Sequence, residues 1–213
     1  MRHASFALAA ILGAALAIPA QAQDVDWSGF YAGFGAGYSF TDSNAEFIDS
    51  GLSSIEIPSE IDGFLAGGQV GANVQLGVVV LGVEASASIA NISSTFEDPL
   101  VPPETVTSTS DARAALLARA GVSLGTVLPY VTAGVAAARV TTSSTAGGAD
   151  DEGIFTGLAY GAGIEVALDD SWSVRGQYLH TELGGDNFHE GEVYETSISP
   201  SSDTFTFAVN YRF

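Results

Sequence analysis

Apolar and polar residues alternate with a period of two along much of the chain, most clearly in residues 29–40, GFYAGFGAGYSF. Phe30, Ala32, Phe34, Ala36, Tyr38 and Phe40 form one set; Tyr31, Gly33, Gly35, Gly37 and Ser39 form the other. That period belongs to a strand whose two faces meet different surroundings. Seven further segments repeat it. Near 63–75, Phe64, Ala66, Val70, Ala72 and Val74 oppose Gly67, Gln69, Gly71, Asn73 and Gln75. Near 79–92, Leu81, Val83, Ala85, Ala87 and Ile89 oppose Gly82, Glu84, Ser86 and Ser88. Near 112–122, Ala114, Leu116, Ala118, Ala120 and Val122 oppose Arg113, Arg119 and Gly121. Near 128–141 alanine fills both parities, with Val131, Ala133, Val135 and Ala137 as the outer set. Near 154–168, Leu158, Tyr160, Ala162, Ile164 and Val166 oppose Gly157, Gly161, Gly163 and Glu165. Near 172–181, Val174 and Tyr178 oppose Arg175 and Gln177, and at the chain end Phe205, Phe207, Val209, Tyr211 and Phe213 alternate with Thr206, Ala208, Asn210 and Arg212.

Helix competes for residues 111–120, DARAALLARA, which are good helix formers. The run is short and leads within a few residues into the fifth segment, so strand is the expected state. The connections carry a second signal. Short links follow the second, fourth and sixth segments (76–78, 123–127 and 169–171), and long polar ones follow the first, third, fifth and seventh (roughly 41–62, 93–110, 141–153 and 182–203). An up-and-down antiparallel barrel with an even strand count places all long loops at one end and all tight turns at the other.

The greasy parity could point outward to lipid, or inward to a ligand in a soluble barrel. The other parity is mostly Gly, Ser, Asn and Gln, and the chain has no lysine, whereas a soluble barrel solvates its exterior with Lys and Glu. Its few charges carry both signs: Glu84 and Glu165 with Arg113, Arg119, Arg175 and Arg212. Opposite charges on one interior wall can pair. Trp27, Phe30, Tyr38, Phe40, Tyr130, Trp172 and Phe213 cluster at strand ends, as an interfacial girdle requires. The expected fold is an all-β, eight-stranded antiparallel transmembrane barrel, its apolar face in lipid and its narrow interior filled by side chains.

Targeting and charge agree with this. Residues 1–22 read as a signal peptide, with a basic start, an apolar run from Phe6 to Ile18, Pro19 and a small-x-small site at Ala20-Gln21-Ala22. The run is shorter than the roughly 20 residues a spanning helix needs. Residues 23–213 then form the barrel domain. With 25 acids against 6 arginines the net charge is −19, which argues against a nucleic-acid partner. The chain has no cysteine, so neither disulfides nor thiolate metal sites enter the fold.

Several stretches also resemble one family. DWSGFYAGFGAGYSF (26–40), GGQVGANVQLG with VLGVEAS (67–86), ARAGVSLGTVLPYVTAGVA (118–136), GAGIEVAL with VRGQYLHTELG (161–184) and the final FAVNYRF are similar to small outer-membrane β-barrels of the opacity and surface-antigen type, often labelled porin-like. Ala72 departs from the aromatic that members often carry there. The resemblance implies the outer membrane of a Gram-negative bacterium, with membrane lipid and lipopolysaccharide as surroundings and no cofactor. It implies that Phe207, Val209, Tyr211 and Phe213 form the C-terminal signal read by the barrel assembly machinery. A monomer is expected.

Candidate chemistry is sparse. His180 lies beside Thr181 and Glu182, and a histidine near an acid at a strand end resembles outer-membrane lipid A deacylases, but their nucleophilic serine is absent here. His189 falls in the last long loop. The run Asp150-Asp151-Glu152 could offer carboxylates to Ca²⁺, but no Asp-x-Asp-x-Asp-Gly loop occurs; solvated acidic loops are the expectation. Glu84, Arg113, Arg119, Glu165 and Arg175 form the expected lumen charge cluster, either a paired plug or the constriction of a narrow pore. The expectation is a non-enzymatic, surface-exposed barrel with acidic extracellular loops and a largely plugged lumen. The alternating connections make a direct prediction: a tag after Gly148 is reached by antibody on intact cells, and a tag after Asp170 is not.

Overall fold

A computed structural model describes the backbone of residues 25–49, 52–97, 105–144, 151–184, 196–198 and 201–213, and side chains within 25–41, 62–90, 112–139, 153–184 and 201–213. The strands are β1 (Gly29–Asp49), β2 (Leu52–Leu76), β3 (Val79–Glu97), β4 (Thr105–Val122), β5 (Val127–Ser144), β6 (Asp151–Ala167), β7 (Trp172–Gly184), β8 (Thr196–Ile198) and β9 (Ser201–Arg212). From β1 to β7 each strand pairs antiparallel with the next, β7 pairs with β9, and β1 joins β2 on one edge and β8 and β9 on the other. Because β8 and β9 lie along the same edge of β1, the closed wall is eight strands around. The DARAALLARA run lies in β4, as a strand. Where β1–β7 and β9 close on one another no edge is left open, the condition for placing strands in hydrocarbon.

At the tight-turn end, Gly77 (φ 63°) lies in the two-residue turn between β2 and β3, and Gly125 (φ 74°) serves the β4–β5 turn. A side chain with a Cβ rarely adopts that left-handed region. In the β6–β7 turn, one oxygen of Asp169 accepts the backbone N–H groups of Ser171 (2.8 Å) and Trp172 (2.7 Å). These bonds hold its carboxyl below the usual aspartate range. The stabilisation they give is therefore complete above the ordinary aspartate pKa and lost as pH falls through the lowered one.

The opposite end corrects an expectation. Alternation reads the stretches 41–62, 93–110, 141–153 and 182–203 as loops, yet β1 runs to Asp49 and β2 starts at Leu52, while β3 reaches Glu97 and β4 starts at Thr105. Likewise β5 reaches Ser144, β6 starts at Asp151, β7 ends at Gly184 and β9 starts at Ser201. Many β-branched residues there have strand propensity, and continuing the ladder satisfies backbone groups that a loop would leave to water. The first three long connections are thus long hairpins, and the fourth is strand at both its ends.

Parity holds through the wall. Phe30, Phe34 and Ile89 are 71%, 70% and 73% exposed on the outside, while Tyr31, Glu84 and Arg119 are 3%, 4% and 5% exposed inside. Val166 is the exception on the outer set, buried between its register partners Val127 and Val174. On the empty face of residues 29–40, a Cβ at Gly33 would strike the Asn210 and Gln69 side chains, and one at Gly35 or Gly37 the backbone of β9; two glycines on other strands make room for aromatics. Tyr31 lies directly across from Gly71 and Tyr130 across from Gly163. A Cβ at either glycine would strike the facing tyrosine ring. Glycine on one strand is the seat of an inward aromatic on the next.

This packing can be tested from both faces. Gly71→Ala should lower stability by about 1–3 kcal/mol through overpacking, whereas Gly68→Ala, whose added carbon meets only the Gly33 carbonyl at 3.4 Å, should leave the thermal midpoint unchanged. Phe34→Arg should cost about 2–4 kcal/mol if the site is near the bilayer midplane, read as loss of the heat-resistant, fast-migrating form on gels.

Candidate functional site

The lumen is built in three tiers, each from inward residues of several strands. At the tight-turn end, Val25, Trp27, Val80, Leu128 and Ala167 form a buried apolar cluster. The strap of residues 25–28 delivers Trp27 into it, and Gly29 (φ 122°) turns the chain into β1. The Trp27 indole N–H donates to the Gly125 carbonyl (3.2 Å), and its backbone N–H donates to the Gln75 side chain (2.8 Å). The Arg212 guanidinium lies 4.7 Å over the indole and donates to the Asp169 carbonyl (2.8 Å). Trp27 and Tyr130, expected in the interfacial girdle, are both inside. Trp27 precedes the strand and escapes its parity. Tyr130 follows the parity that puts Val131 outside, so its inward direction is legible in the alternation.

The middle tier is a charged network. Both Arg175 Nη atoms donate to the Glu84 carboxylate, Nη1 to Oε2 and Nη2 to Oε1, the latter at 3.0 Å. The Tyr31 hydroxyl donates to the same Glu84 Oε2 at 2.6 Å. Arg119 donates through Nη2 to Glu165 at 2.8 Å and through Nη1 to the Tyr31 hydroxyl at 3.2 Å. The second Glu165 oxygen accepts from Ser173 (2.6 Å) and Asn210 (2.9 Å). Gln69 in turn donates to Asn210 (2.7 Å). Arg119 also lies 4.0 Å over the Tyr130 ring, whose hydroxyl donates to Gln177 (2.7 Å). Residues of β1–β7 and β9 therefore meet across the lumen. Two carboxylates face two guanidiniums, and each carboxylate accepts three hydrogen bonds. That satisfaction is what makes buried charge tolerable.

Four of the five residues expected as a charge cluster are thus joined, in the pairs Glu84–Arg175 and Glu165–Arg119. Arg113 is not among them. Its Nη1 donates to Ser39 (3.0 Å) and Ser202 (3.4 Å), nearer the long-hairpin end. Above the network, a cavity of about 100 Å³ is lined by a mixture of hydroxyls, alanines, leucines and glutamines, with Glu84, Arg175 and Arg113 among its walls. The tyrosines, Asn210, Gln69 and Gln177 are absent from the expected cluster because formal charge alone selects it.

Outside the lumen, His180 sits on the outer parity near the long-hairpin end. Its Nδ1 is 2.7 Å from Asp203 and its Nε2 3.6 Å from Glu182. The Tyr178 hydroxyl donates to Asp203 (2.6 Å) and the Tyr160 hydroxyl to Glu182 (3.0 Å). Among the described residues both ring nitrogens thus face carboxylates. His189 and the acidic run of Asp150, Asp151 and Glu152 lie outside the described side chains. Phe207, Tyr211 and Phe213 are exposed on the outer wall, with Val209 half-buried beside them.

Comparison with known proteins places this architecture. The 25 kDa outer-membrane immunogenic protein of Brucella melitensis is 28% identical over 195 residues, covering 90% of this chain and 82% of that protein. The 31 kDa outer-membrane immunogenic protein of the same organism is 26% identical over 204 residues, covering 88% and 84%. Among solved structures, the outer membrane protease OmpT of Escherichia coli superposes with a TM-score of 0.51 at 8% identity, covering 87% of this chain and 97% of OmpT. Ail of Yersinia pestis gives 0.48 at 14% identity, covering 87% and 99%. The likeness to OmpT is one of fold alone. Residues 6–213 match the outer membrane protein beta-barrel domain, and with the closed wall and its lipid-facing aromatics the chain belongs to that family of bacterial outer-membrane proteins.

Proposed function

We propose that this protein is a non-enzymatic structural barrel whose lumen is blocked in its periplasmic half and whose acid-rich hairpins face the cell exterior. The single observation that carries the reading is the cross-lumen network of Glu84, Arg175, Tyr31, Arg119 and Glu165. The Trp27 cluster lies at the tight-turn end of the same lumen. A conducting path through these tiers would have to separate both ion pairs and expel an indole. The tight turns are assigned to the periplasm by the general asymmetry of outer-membrane barrels. Most of the 25 acids lie in the long connections, where like charge keeps the surface hydrated and self-repelling. The immunogenic character named for the Brucella relatives fits a protein displayed at the cell surface. Phe207, Val209, Tyr211 and Phe213 are read as the assembly signal, with lipid and lipopolysaccharide around a monomeric wall.

The test is electrical and thermal together. Wild-type protein in planar bilayers should show negligible conductance. Glu84→Gln or Arg119→Gln should lower stability by about 3–5 kcal/mol, because each leaves a buried charge without its partner. A robust wild-type channel whose ion selectivity shifts in variants of unchanged melting would replace the plug with an open constriction.

A further inference from the structure

Above the blocked tier, one inward-facing charged group among the described residues is not used by the network. Arg113 projects from β4 into the cavity at the long-hairpin end, where its Nη1 is shared between the hydroxyls of Ser39 and Ser202. Its Nε is buried without a partner among the described residues, as are those of Arg119, Arg175 and Arg212. The ion pair on the cavity floor is already neutral, because Arg175 holds both oxygens of Glu84. The rest of the lining mixes hydroxyls such as Ser88, Thr181 and Thr204 with alanines, two glutamines and three leucines. Among the described residues, Arg113 therefore meets hydroxyls where the two network arginines meet carboxylates. A guanidinium offers five donors in a fixed fork suited to oxyanions, and a half-buried one without a counter-charge is costly to maintain.

We propose that this upper cavity is a binding site for a small oxyanion, a carboxylate or phosphate group, held by Arg113 with serine and threonine hydroxyls as secondary donors. About 100 Å³ admits a group of that size and little more. The chain's net charge of −19 opposes anions at long range. Beyond roughly 8 Å that repulsion is screened at physiological salt, so the local guanidinium decides occupancy. The site is independent of conduction, since a blocked floor and a leaky one both leave the cavity in place.

The test uses the full barrel refolded in detergent with ¹⁵N-labelled arginine, titrated separately with inorganic phosphate and with acetate at constant ionic strength. The Arg113 Nε–H resonance, assigned by its absence in Arg113→Gln, should shift saturably with a midpoint around 1 mM, while the Arg119 and Arg175 resonances stay in place. Response to phosphate alone assigns a phosphate-bearing ligand, and response to acetate alone a carboxylate; either supports the site. Ser202→Ala, which keeps the charge and the fold, should weaken binding by about 3–10-fold. No saturable shift with either anion overturns the proposal, as does anion-dependent shifting of the remaining arginines in Arg113→Gln. Asp111 precedes Arg113 by two residues. Silence in the wild type that turns into binding in Asp111→Asn would also overturn it, by assigning the counter-charge to the chain itself.

Discussion

The inside of this barrel is organised around two carboxylates that are almost fully buried. Glu84 and Glu165 stand on β3 and β6, and each must be compensated by groups that the wall itself supplies. A pair of buried ions is not in itself strong evidence of stability, since apolar replacements of matching shape often serve as well. Loss of one partner is another matter. The remaining charge then has no water to turn to, so the network works as a unit and specifies which strands face one another across the lumen. Tyr31 ties the two pairs together, donating to Glu84 and accepting from Arg119.

That network in turn dictates two of the glycines. Tyrosines long enough to reach the middle of the lumen must lean over the neighbouring strand, and Gly71 and Gly163 are where they lean. The apolar outer wall has the opposite requirement, bulk without polarity, and Phe30, Phe34, Phe64 and Ile89 supply it. One strand therefore carries two incompatible compositions on alternating residues. The two-residue period of the sequence is the direct consequence.

Much of this is legible in the chain itself. Strand number, the direction of nearly every strand residue and four members of the central network follow from alternation and charge sign. Four features do not. The first three long connections are mostly strand because backbone pairing continues where side-chain alternation has lost its apolar partner, and periodicity reports only the latter. Trp27 defeats the girdle reading because an aromatic beside a strand end looks the same whether it lies in the headgroups or folds under the mouth. Arg113 groups with the other charges because parity gives the face of the wall and not the height along it. The neutral members of the network, Asn210 and Gln69 above all, carry no formal charge to draw attention.

The central claim is that Glu84 and Arg175 stabilise the barrel as a coupled pair across a closed lumen. A double-mutant cycle measures this most directly: thermal or urea unfolding of wild type, Glu84→Gln, Arg175→Gln and the double variant in one detergent. The account predicts that each single change is strongly destabilising and that the double variant loses much less than their sum, with a coupling of about 1–3 kcal/mol. Additive losses, or single variants as stable as wild type, would contradict it and leave the two groups as independently hydrated residues of an open channel.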